Sequence, residues 1–204
     1  MRVLVTREEL VARVEALGHD AVLCELIRVE PLGDEPVDAR AYDWLVVTSR
    51  NGAHELARRG VTASRIAAIG PATAEALRSH GLNVDLVAAT HTQEGLRDEL
   101  PRGTVLLAAA EGARQDVLDA DFLPLYRTVE LRHDPPQADV ALLMSGSAAR
   151  ALAATGARLP VVAIGPQTGA EARAAGLEVV AVAAVHDLDG LVEALRSVSW
   201  SSPS

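Results

Sequence analysis

The residues best suited to chemistry lie in a loop that occurs twice. Residues 69–73 read Ile-Gly-Pro-Ala-Thr and residues 164–168 read Ile-Gly-Pro-Gln-Thr, each between an apolar run and a helical pattern. Glycine lets the backbone turn tightly, and proline in the first helical turn gives up an N–H that has no partner there. The remaining N–H groups and the threonine hydroxyl suit a carboxylate. A single copy would favour a plain helix start, whereas two copies favour binding by Gly70, Thr73, Gly165 and Thr168.

A second set of polar side chains follows other apolar runs. The segment Thr48-Ser49-Arg50 corresponds to Met144-Ser145-Gly146 at a shift of 96 residues. Hydroxyls at such positions ordinarily cap helices, and the same geometry also allows contact with a ligand. Arginine after a strand is suited to hold a carboxylate. The candidate binding residues of this set are Thr6, Arg7, Ser49, Arg50, Arg114 and Ser145.

The composition excludes several classes of protein. The 204 residues carry a formal net charge of −9 and only 2% aromatic residues, whereas nucleic-acid binding favours a basic surface and stacking rings. All 19 basic residues are arginine, which excludes lysine Schiff bases and lysine phosphate loops. The single cysteine and the spacing of the six histidines match no metal-site pattern, so we predict that the protein binds no metal.

The start of the chain and its apolar runs bear on location. Arg7, Glu8 and Glu9 interrupt the apolar start, so a signal-peptide core is absent. No apolar run approaches the roughly 18 residues that a membrane-spanning helix needs. We therefore predict a cytoplasmic protein with neither a membrane nor a nucleic acid as partner.

The pattern of elements predicts the fold class. Short β-branched or leucine-rich runs alternate with helical patterns rich in alanine, glutamate and arginine, and glycines follow several of these patterns. Runs such as residues 45–47 are apolar on both faces, which is typical of parallel strands covered by helices. The prediction is an α/β fold whose helices include residues 7–17 and a short helix over residues 114–118.

A longer internal repeat indicates how these elements group. The match between the two loops continues through Gly81 and Gly176, and a weaker match relates the start of the chain to the segment from Val105. The chain therefore consists of a short, a long, a short and a long unit. Since a short unit has too few strands to bury a core alone, each needs a long unit to complete a sheet.

This order predicts two similar domains, one of them discontinuous. The continuous α/β lobe spans residues 32–128, and the discontinuous lobe combines residues 1–30 with 131–204. Extended crossings near residues 28–33 and 128–133 would join the lobes as a hinge. Ligands of open parallel sheets bind at the carboxyl ends of the strands, so we expect these ends of both lobes to face one cleft.

The order, spacing and duplication of these segments resemble the uroporphyrinogen-III synthase family over nearly the full chain. The family's usual Thr-Arg-Pro start reads Thr6-Arg7-Glu8, and the second serine loop lacks the common proline. The matching segments are VLVTRE, DWLVVTSRNGAHEL, AAIGPATAEALRSHGL, residues 126–129, ALLMSGSAARAL, and VAIGPQTGAEARAAGL with its LDGLVEAL end.

The resemblance implies a fold and a reaction. The fold is two similar Rossmann-like lobes with parallel sheets on a two-stranded linker. The reaction is cyclisation of the linear tetrapyrrole hydroxymethylbilane, with loss of water and inversion of ring D through a spiro intermediate. It implies no metal or organic cofactor, a monomer, and transient contact with the deaminase that supplies the substrate.

The resemblance also assigns roles to residues. Spacing alone leaves Tyr126 open between hinge packing and a ligand-facing position and slightly favours packing, whereas the resemblance makes it the proton donor to the departing hydroxyl. It implies that Thr73 and Thr168 face the cleft and that Ser49 and Ser145 lie at paired strand ends. We expect arginines to make the cleft locally positive for a polyanionic substrate: Arg7, Arg50 and Arg114.

Two other functions are compatible with such a sequence. A non-catalytic two-lobed binding protein for a small anionic metabolite would need the same hinge and cleft. A nucleotide-sugar transferase would use similar lobes, but the sequence has neither a glycine-rich phosphate loop nor an obvious acidic metal pair. Turnover of hydroxymethylbilane separates the synthase from both.

Overall fold

The structure, a computed structural model, describes residues 1–131 and 134–198. The described chain divides into two compact units. Unit 1 comprises residues 1–28 and the described residues from 129 onward, and unit 2 comprises residues 29–128. The end of the second predicted crossing, at His133, and the last residues of the predicted discontinuous lobe lie outside the described residues.

Strands and helices alternate along the chain. The strands are β1 (Arg2–Val5), β2 (Asp20–Leu23), β3 (Ile27–Pro31), β4 (Asp38–Ala39), β5 (Trp44–Val47), β6 (Thr62–Ala63), β7 (Ile66–Ala68), β8 (Leu86–Val87), β9 (Val105–Ala110), β10 (Asp121–Glu130), β11 (Val140–Leu143), β12 (Val161–Ala163) and β13 (Val179–Val182). The helices are α1 (Val11–Glu15), α2 (Arg50–Arg58), α3 (Pro71–Ser79), α4 (Gln93–Glu99), α5 (Gly146–Ala154), α6 (Pro166–Ala174) and α7 (Leu188–Ser197), with a 3-10 helix at Glu8–Leu10.

Unit 1 is built on a five-stranded sheet. Its order is β13-β12-β11-β1-β2, and all of its pairings are parallel. Successive residues of a strand point to opposite faces, so β1 contributes to two cores. Val3 packs in the cluster that contains Leu195 of α7, and Leu4 packs in the cluster that contains Leu152 of α5. Burial on both faces explains why the strand carries no polar residue after Arg2.

Unit 2 is built on a six-stranded sheet of order β3-β10-β9-β5-β7-β8. The pairings from β10 through β8 are parallel. Leu45 packs in the cluster that contains Leu56 of α2, whereas Val46 packs in the cluster that contains Leu96 of α4. Helices therefore cover both faces of each large sheet, and the predicted α/β class is confirmed.

The two units repeat one contact at the start of neighbouring strands. In unit 2, Asp43 Oδ2 accepts a hydrogen bond of 2.8 Å from the backbone N–H of Thr104. In unit 1, Asp139 Oδ2 accepts one of 2.7 Å from the backbone N–H of Arg2. The first contact precedes the parallel pair β5–β9 and the second precedes the parallel pair β11–β1. The internal repeat therefore extends to the register in which short and long segments pair.

The helix ends that follow α3 and α6 also match. Gly81 has a φ of 77° and Gly176 has a φ of 84°, values in the left-handed region that favours glycine. Each N–H at these glycines returns to a carbonyl in the last turn of its helix, Arg78 or Arg173. The glycine stops predicted after both helices are confirmed.

Two parts of the element prediction differ from the structure. Residues 114–118 do not form the predicted helix: residues 116–118 form a bend, because the segment has neither a capping residue before it nor a glycine stop after it. The predicted helix over residues 7–17 is shorter than expected: it starts as the 3-10 helix and ends at Glu15. The small parallel sheet of β4 and β6 was not predicted, since two-residue strands show no periodicity.

Candidate functional site

In unit 2, the predicted site residues follow neighbouring parallel strands. Ser49 comes two residues after β5, and Gly70 comes two residues after β7. Strands β9, β5 and β7 are adjacent in the sheet, so their carboxyl ends lie at one edge. Tyr126, in the next strand β10, pairs with Ala110 at the end of β9. The topology thus brings residues from distant parts of the chain to one edge of a rigid sheet.

Tyr126 and Ser49 are in direct contact. The Tyr126 hydroxyl lies 2.9 Å from Ser49 Oγ, and either oxygen could donate this hydrogen bond. Ser49 is the N-cap of α2 and its Oγ also accepts from the backbone N–H of Gly52 at 2.9 Å. Only 6% of Tyr126 is exposed. Tyr126 therefore both packs in the core of unit 2 and holds its hydroxyl at the strand ends, so neither interpretation of its spacing was complete.

An irregularity in β10 positions Tyr126. The register between β10 and β9 shifts between Pro124 and Tyr126. Such a bulge turns a side chain away from strict alternation, and Leu125 and Tyr126 accordingly both lie in the same core cluster. The backbone carbonyl of Tyr126 accepts a hydrogen bond of 2.8 Å from the backbone N–H of Glu111, which fixes the strand on the far side of the shift.

The two Ile-Gly-Pro-x-Thr loops begin α3 and α6 in the same conformation. The N-cap Gly70 has φ −176° and ψ 175°, and Gly165 has φ −172° and ψ 172°. No side chain caps either helix. By contrast, side chains cap the other α-helices of seven or more residues in the described ranges: Ser49, Thr92, Ser145 and Asp187. The first-turn N–H groups of α3 and α6 therefore lack the side-chain acceptor that these other helices have.

The threonines of the two loops are enclosed. Thr73 is 5% exposed and Thr168 is 7% exposed, and neither hydroxyl has a hydrogen-bond partner within the described residues. Each threonine is the third residue of its helix, where side chains lean toward the helix N-terminus. A hydroxyl in that position is available to an acceptor at the uncapped end of the helix.

A histidine covers the glycine of each loop. A Cβ at Gly70 would lie 3.1 Å from Cγ of His91, and a Cβ at Gly165 would lie 3.3 Å from Cδ2 of His186. Glycine at these positions thus permits the close approach of an imidazole ring. The sequence shows that these histidines repeat at the 95-residue separation of the loops, and their positions before helical patterns predict only helix caps. That prediction is wrong, because the caps are the next residues, Thr92 and Asp187.

In unit 1, Thr6 and Ser145 follow the neighbouring strands β1 and β11. Thr6 is 8% exposed, and its hydroxyl donates a long hydrogen bond of 3.4 Å to the carbonyl of Leu142. Ser145 caps α5 by accepting from the backbone N–H of Ala148 at 3.2 Å. The serine therefore repeats the capping role of Ser49, without a tyrosine contact among the described residues.

The loop after β11 also carries a close contact of its own. The Glu171 carboxylate of α6 lies against Gly146, in the space that a Cβ there would occupy, and it pairs with Arg150 of α5. At the repeated position in unit 2, Arg50 replaces Gly146. The two serine loops thus share their backbone geometry and differ in the charged group beside them.

The predicted arginines differ in whether their side chains form an ion pair within the described residues. Arg7 and Arg50 are exposed and have no side-chain partner within the described residues. Arg114 forms an ion pair of 2.5 Å with Glu94. This hydrogen bond from Arg114 lowers the pKa of Glu94 below its ordinary value. Arg7 and Arg50 therefore offer an unpaired charge, whereas the charge of Arg114 is partly neutralised.

The described residues have neither a metal-binding cluster nor a helix suited to a membrane. Residues 1–131 and 134–198 contain no cluster of three or more histidine, cysteine, aspartate or glutamate side chains arranged to hold a metal ion. None of the helices in those ranges combines the length and apolar character that crossing a membrane requires.

Comparisons with known proteins point to one family. The model of a family described as uroporphyrinogen-III synthase HemD matches residues 8–193. A curated relative from Archaeoglobus fulgidus, named "Putative uroporphyrinogen-III synthase", is 28% identical over 97% of this chain and 99% of its own length. A crystal structure of a mutant uroporphyrinogen III synthase from Thermus thermophilus has a TM-score of 0.69 at 16% identity, covering 96% of this chain and 97% of that one. The likeness to that structure confirms the fold.

Proposed function

Since this chain belongs to the uroporphyrinogen-III synthase family, we propose that it converts hydroxymethylbilane to uroporphyrinogen III. The observation that carries the proposal is the contact between Tyr126 and Ser49 at the carboxyl ends of the strands. This contact links Tyr126, the residue with a proposed catalytic role, to Ser49, and the capping of α2 by Ser49 fixes the position of both. The reaction needs no more than a proton donor and a site that folds a flexible polyanion.

The proposed first step is loss of water from the hydroxymethyl group. Tyr126 donates its phenolic proton to the hydroxyl oxygen as the C–O bond breaks, and the electron pair of the pyrrole nitrogen stabilises the cation that remains. The substituted carbon of ring D then attacks this cation, which forms the spiro intermediate. The bond from ring C's methylene to that carbon breaks and re-forms at the free α-carbon of ring D, and the proton lost there returns to the phenolate. Hydroxymethylbilane thus yields uroporphyrinogen III and water.

Ser49 is proposed as the positioning residue for this proton. Its Oγ accepts from the Gly52 N–H, so its own hydrogen is free to be donated to the Tyr126 oxygen. With Ser49 as donor, the phenolic hydrogen points away from the serine and toward a substrate. A general acid held in this way contributes through geometry as well as through proton affinity.

Carboxylate binding is proposed for both units. The substrate carries acetate and propionate groups, and each unit supplies an uncapped helix start with a buried threonine. Exposed Arg7 and Arg50 supply positive charge on a chain that is otherwise acidic. The predicted monomer, the transient contact with the deaminase and the cytoplasmic location complete the proposal.

The decisive experiment is a coupled assay that starts from the deaminase product. Hydroxymethylbilane closes without an enzyme to the type I isomer, so the ratio of type III to type I uroporphyrinogen measures synthase activity. We expect type III to predominate when the protein is added. Type I as the sole product over a range of protein concentrations would refute the proposal and favour a binding protein for an anionic metabolite.

A further inference from the structure

The strand-end loops are accompanied by a feature that the proposed reaction does not yet use. His91 and His186 each place an imidazole ring against the glycine of an Ile-Gly-Pro-x-Thr loop. We propose that both histidines bind substrate, each donating a ring N–H to the carboxylate that the neighbouring loop receives. This inference rests on the proposed function and adds to it a pair of specificity-determining residues.

The contact between histidine and glycine occurs in both units. The nearest atoms to a Cβ at Gly70 are Cγ, Cβ and Cδ2 of His91, at 3.1 to 3.3 Å. At Gly165 they are Cδ2, Cγ and Nδ1 of His186, at 3.3 to 3.6 Å. The two contacts lie in different units and belong to the internal repeat. Both copies keep the histidine, although its neighbours differ in Ala-Thr-His-Thr and Ala-Val-His-Asp.

The ring nitrogens of His91 and His186 have no hydrogen-bond partner within the described residues. Both histidines are exposed, and neither has a hydrogen bond or ion pair within the described residues. Each ring packs on glycine largely through its carbon atoms. His80, in the same unit as His91, shows the contrast, since its Nε2 lies 2.7 Å from Nδ1 of His54. The nitrogens of His91 and His186 are therefore available to a ligand.

Each histidine ring lies beside the start of a helix that has no side-chain cap. The first turns of α3 and α6 have no side-chain cap, and Thr73 and Thr168 are at least nine-tenths buried with hydroxyls that have no partner in the described part of the chain. All of these groups are hydrogen-bond donors, and the helix dipole adds partial positive charge. Hydrogen-bond donors gathered at two equivalent places suit an anion.

The chemistry of the site selects a carboxylate. The loops contain no lysine, and arginine is absent from both five-residue motifs, so the site lacks the dense positive charge that a phosphate usually receives. Backbone N–H groups, a hydroxyl and an imidazole N–H suit a single charge on two oxygens. A site of this kind, one in each unit, would bind one acetate or propionate group of a tetrapyrrole.

The test replaces each ring by one that keeps its packing and loses its donors. In His91→Phe and His186→Phe, the phenyl ring can still cover the glycine, so a role in packing alone would leave substrate affinity unchanged. We expect the KM for hydroxymethylbilane to rise about tenfold in each variant, the effect of losing one hydrogen bond to a charged group, with kcat within about twofold. His91→Gln, which retains an N–H donor, should recover part of the loss.

The matched control is His80→Phe, the same change at the opposite end of α3. It should leave KM and kcat unchanged. Circular dichroism and the thermal midpoint establish that each variant is folded, and the glutamine variant serves if a phenylalanine variant is not. Unchanged KM in both folded phenylalanine variants overturns the inference.

A binding measurement separates this inference from the proposed reaction. Uroporphyrin III, the stable oxidised form of the proposed product, keeps the acetate and propionate groups, and its fluorescence reports binding directly. Weaker binding in both phenylalanine variants, with no type III product from the wild-type protein, would support the histidine sites and refute the synthase. Type III product from all variants with unchanged KM and Kd would refute the histidine sites alone. Absence of both turnover and binding in the wild-type protein would refute both.

Discussion

At the scale of single residues, the contact between Tyr126 and Ser49 defines what the site can do. Two hydrogen bonds hold Ser49 Oγ in place: it accepts from the backbone N–H of Gly52 as the cap of α2, and it contacts the Tyr126 hydroxyl. A phenol that is 6% exposed has few alternative rotamers, so the proton it carries is held in a narrow range of positions. Holding the phenolic proton in this way favours its transfer to one leaving group while the phenol itself stays shielded from water.

The first prediction concerns Tyr126→Phe. Removing the phenolic proton should lower kcat about a hundredfold, the usual contribution of a positioned general acid, and leave KM within about twofold. The measurement is the initial rate of type III formation. Tyr42→Phe is the matched control, because Tyr42 donates to Asp121 at 2.7 Å and lies outside the proposed site. A full rate in Tyr126→Phe would show that the phenol is not the acid.

The second prediction separates two arginines. Arg50 has no partner in the described residues, whereas Arg114 is paired with Glu94. Arg50→Ala should therefore raise the KM about fivefold, and Arg114→Ala should raise it less, since an exposed ion pair already screens that charge. Repeating the assay at low and high salt tests the cause, because the difference between Arg50→Ala and wild type should shrink as salt increases. An equal increase in KM from the two substitutions would contradict this prediction.

The sequence indicated some of these residues and missed others for a physical reason. Ser49 and Ser145 were predictable because a hydroxyl between a strand and a helix is a local pattern. The covering of Gly70 by His91 joins two loops that are separate in sequence, and no local rule reports such a contact. Tyr126 depended on a bulge, which shifts the alternation from which its orientation would be inferred.

At the scale of elements, a glycine allows α4 in unit 2 and α7 in unit 1 to pack closely against the loop that precedes each helix. A Cβ at Gly95 of α4 would collide with the backbone carbonyl of Thr90, and a Cβ at Gly190 of α7 would collide with that of Val185. These helices begin with the caps Thr92 and Asp187, which accept from the N–H of the same glycines. This type of helix start therefore requires a short polar side chain at the N-cap and a glycine at the third helical residue.

The third prediction tests this requirement. Gly95→Ala should lower the free energy of unfolding by about 2–4 kcal/mol, because the clash is with backbone that cannot move aside cheaply. Urea titration followed by circular dichroism measures the change. Gly112→Ala is the control: a Cβ there meets nothing within 4 Å, and its effect should stay within about 1 kcal/mol. Equal stability of the two variants would mean that the Gly95 loop adapts.

Element prediction succeeded where several local signals agreed. Pro71 and Gly81 bound α3, and the same pair of signals at Pro166 and Gly176 bounds α6. The segment predicted as a helix, residues 114–118, has two apolar residues, Val117 and Leu118, but neither a cap nor a stop, and it does not form a helix. Short segments depend on tertiary contacts that composition does not encode.

At the scale of the whole molecule, the acidic residues make stability depend on pH. Hydrogen bonds from the Thr104 backbone N–H and hydroxyl lower the pKa of Asp43, and hydrogen bonds from Arg40 lower the pKa of Asp38. A carboxyl group with a lowered pKa in the folded state stabilises the protein above its unfolded pKa. That stabilisation is lost as pH falls through the folded pKa.

The fourth prediction follows from this sign. The free energy of unfolding should decrease as the pH falls below about 4, the ordinary range of carboxyl groups. Asp43→Asn keeps an acceptor for Thr104 but does not titrate, so the variant should show a smaller decrease between neutral pH and about pH 3. Urea midpoints at each pH provide the measurement, with Asp119→Asn as the control at an exposed aspartate without a partner in the described residues. An unchanged pH dependence in Asp43→Asn would contradict the assignment.

The duplicated sequence carried information about the whole molecule that no single element contained. Asp43 with Thr104 and Asp139 with Arg2 make one contact twice, and their spacing could be read from the repeat. Their backbone partners could not, because the weaker repeat at the start of the chain fixes similarity but not hydrogen bonding. The fold class was therefore predictable, while the atomic register required the structure.

The position of β1 between β11 and β2 has a consequence for how the chain matures on the ribosome. β1 is translated before unit 2, whereas β11 on one side of it is translated after all of unit 2. Unit 2 is contiguous and can therefore fold while synthesis continues, whereas the edge of β1 that pairs with β11 stays unpaired until then. Chaperone dependence during translation should consequently arise from β1 rather than from unit 2.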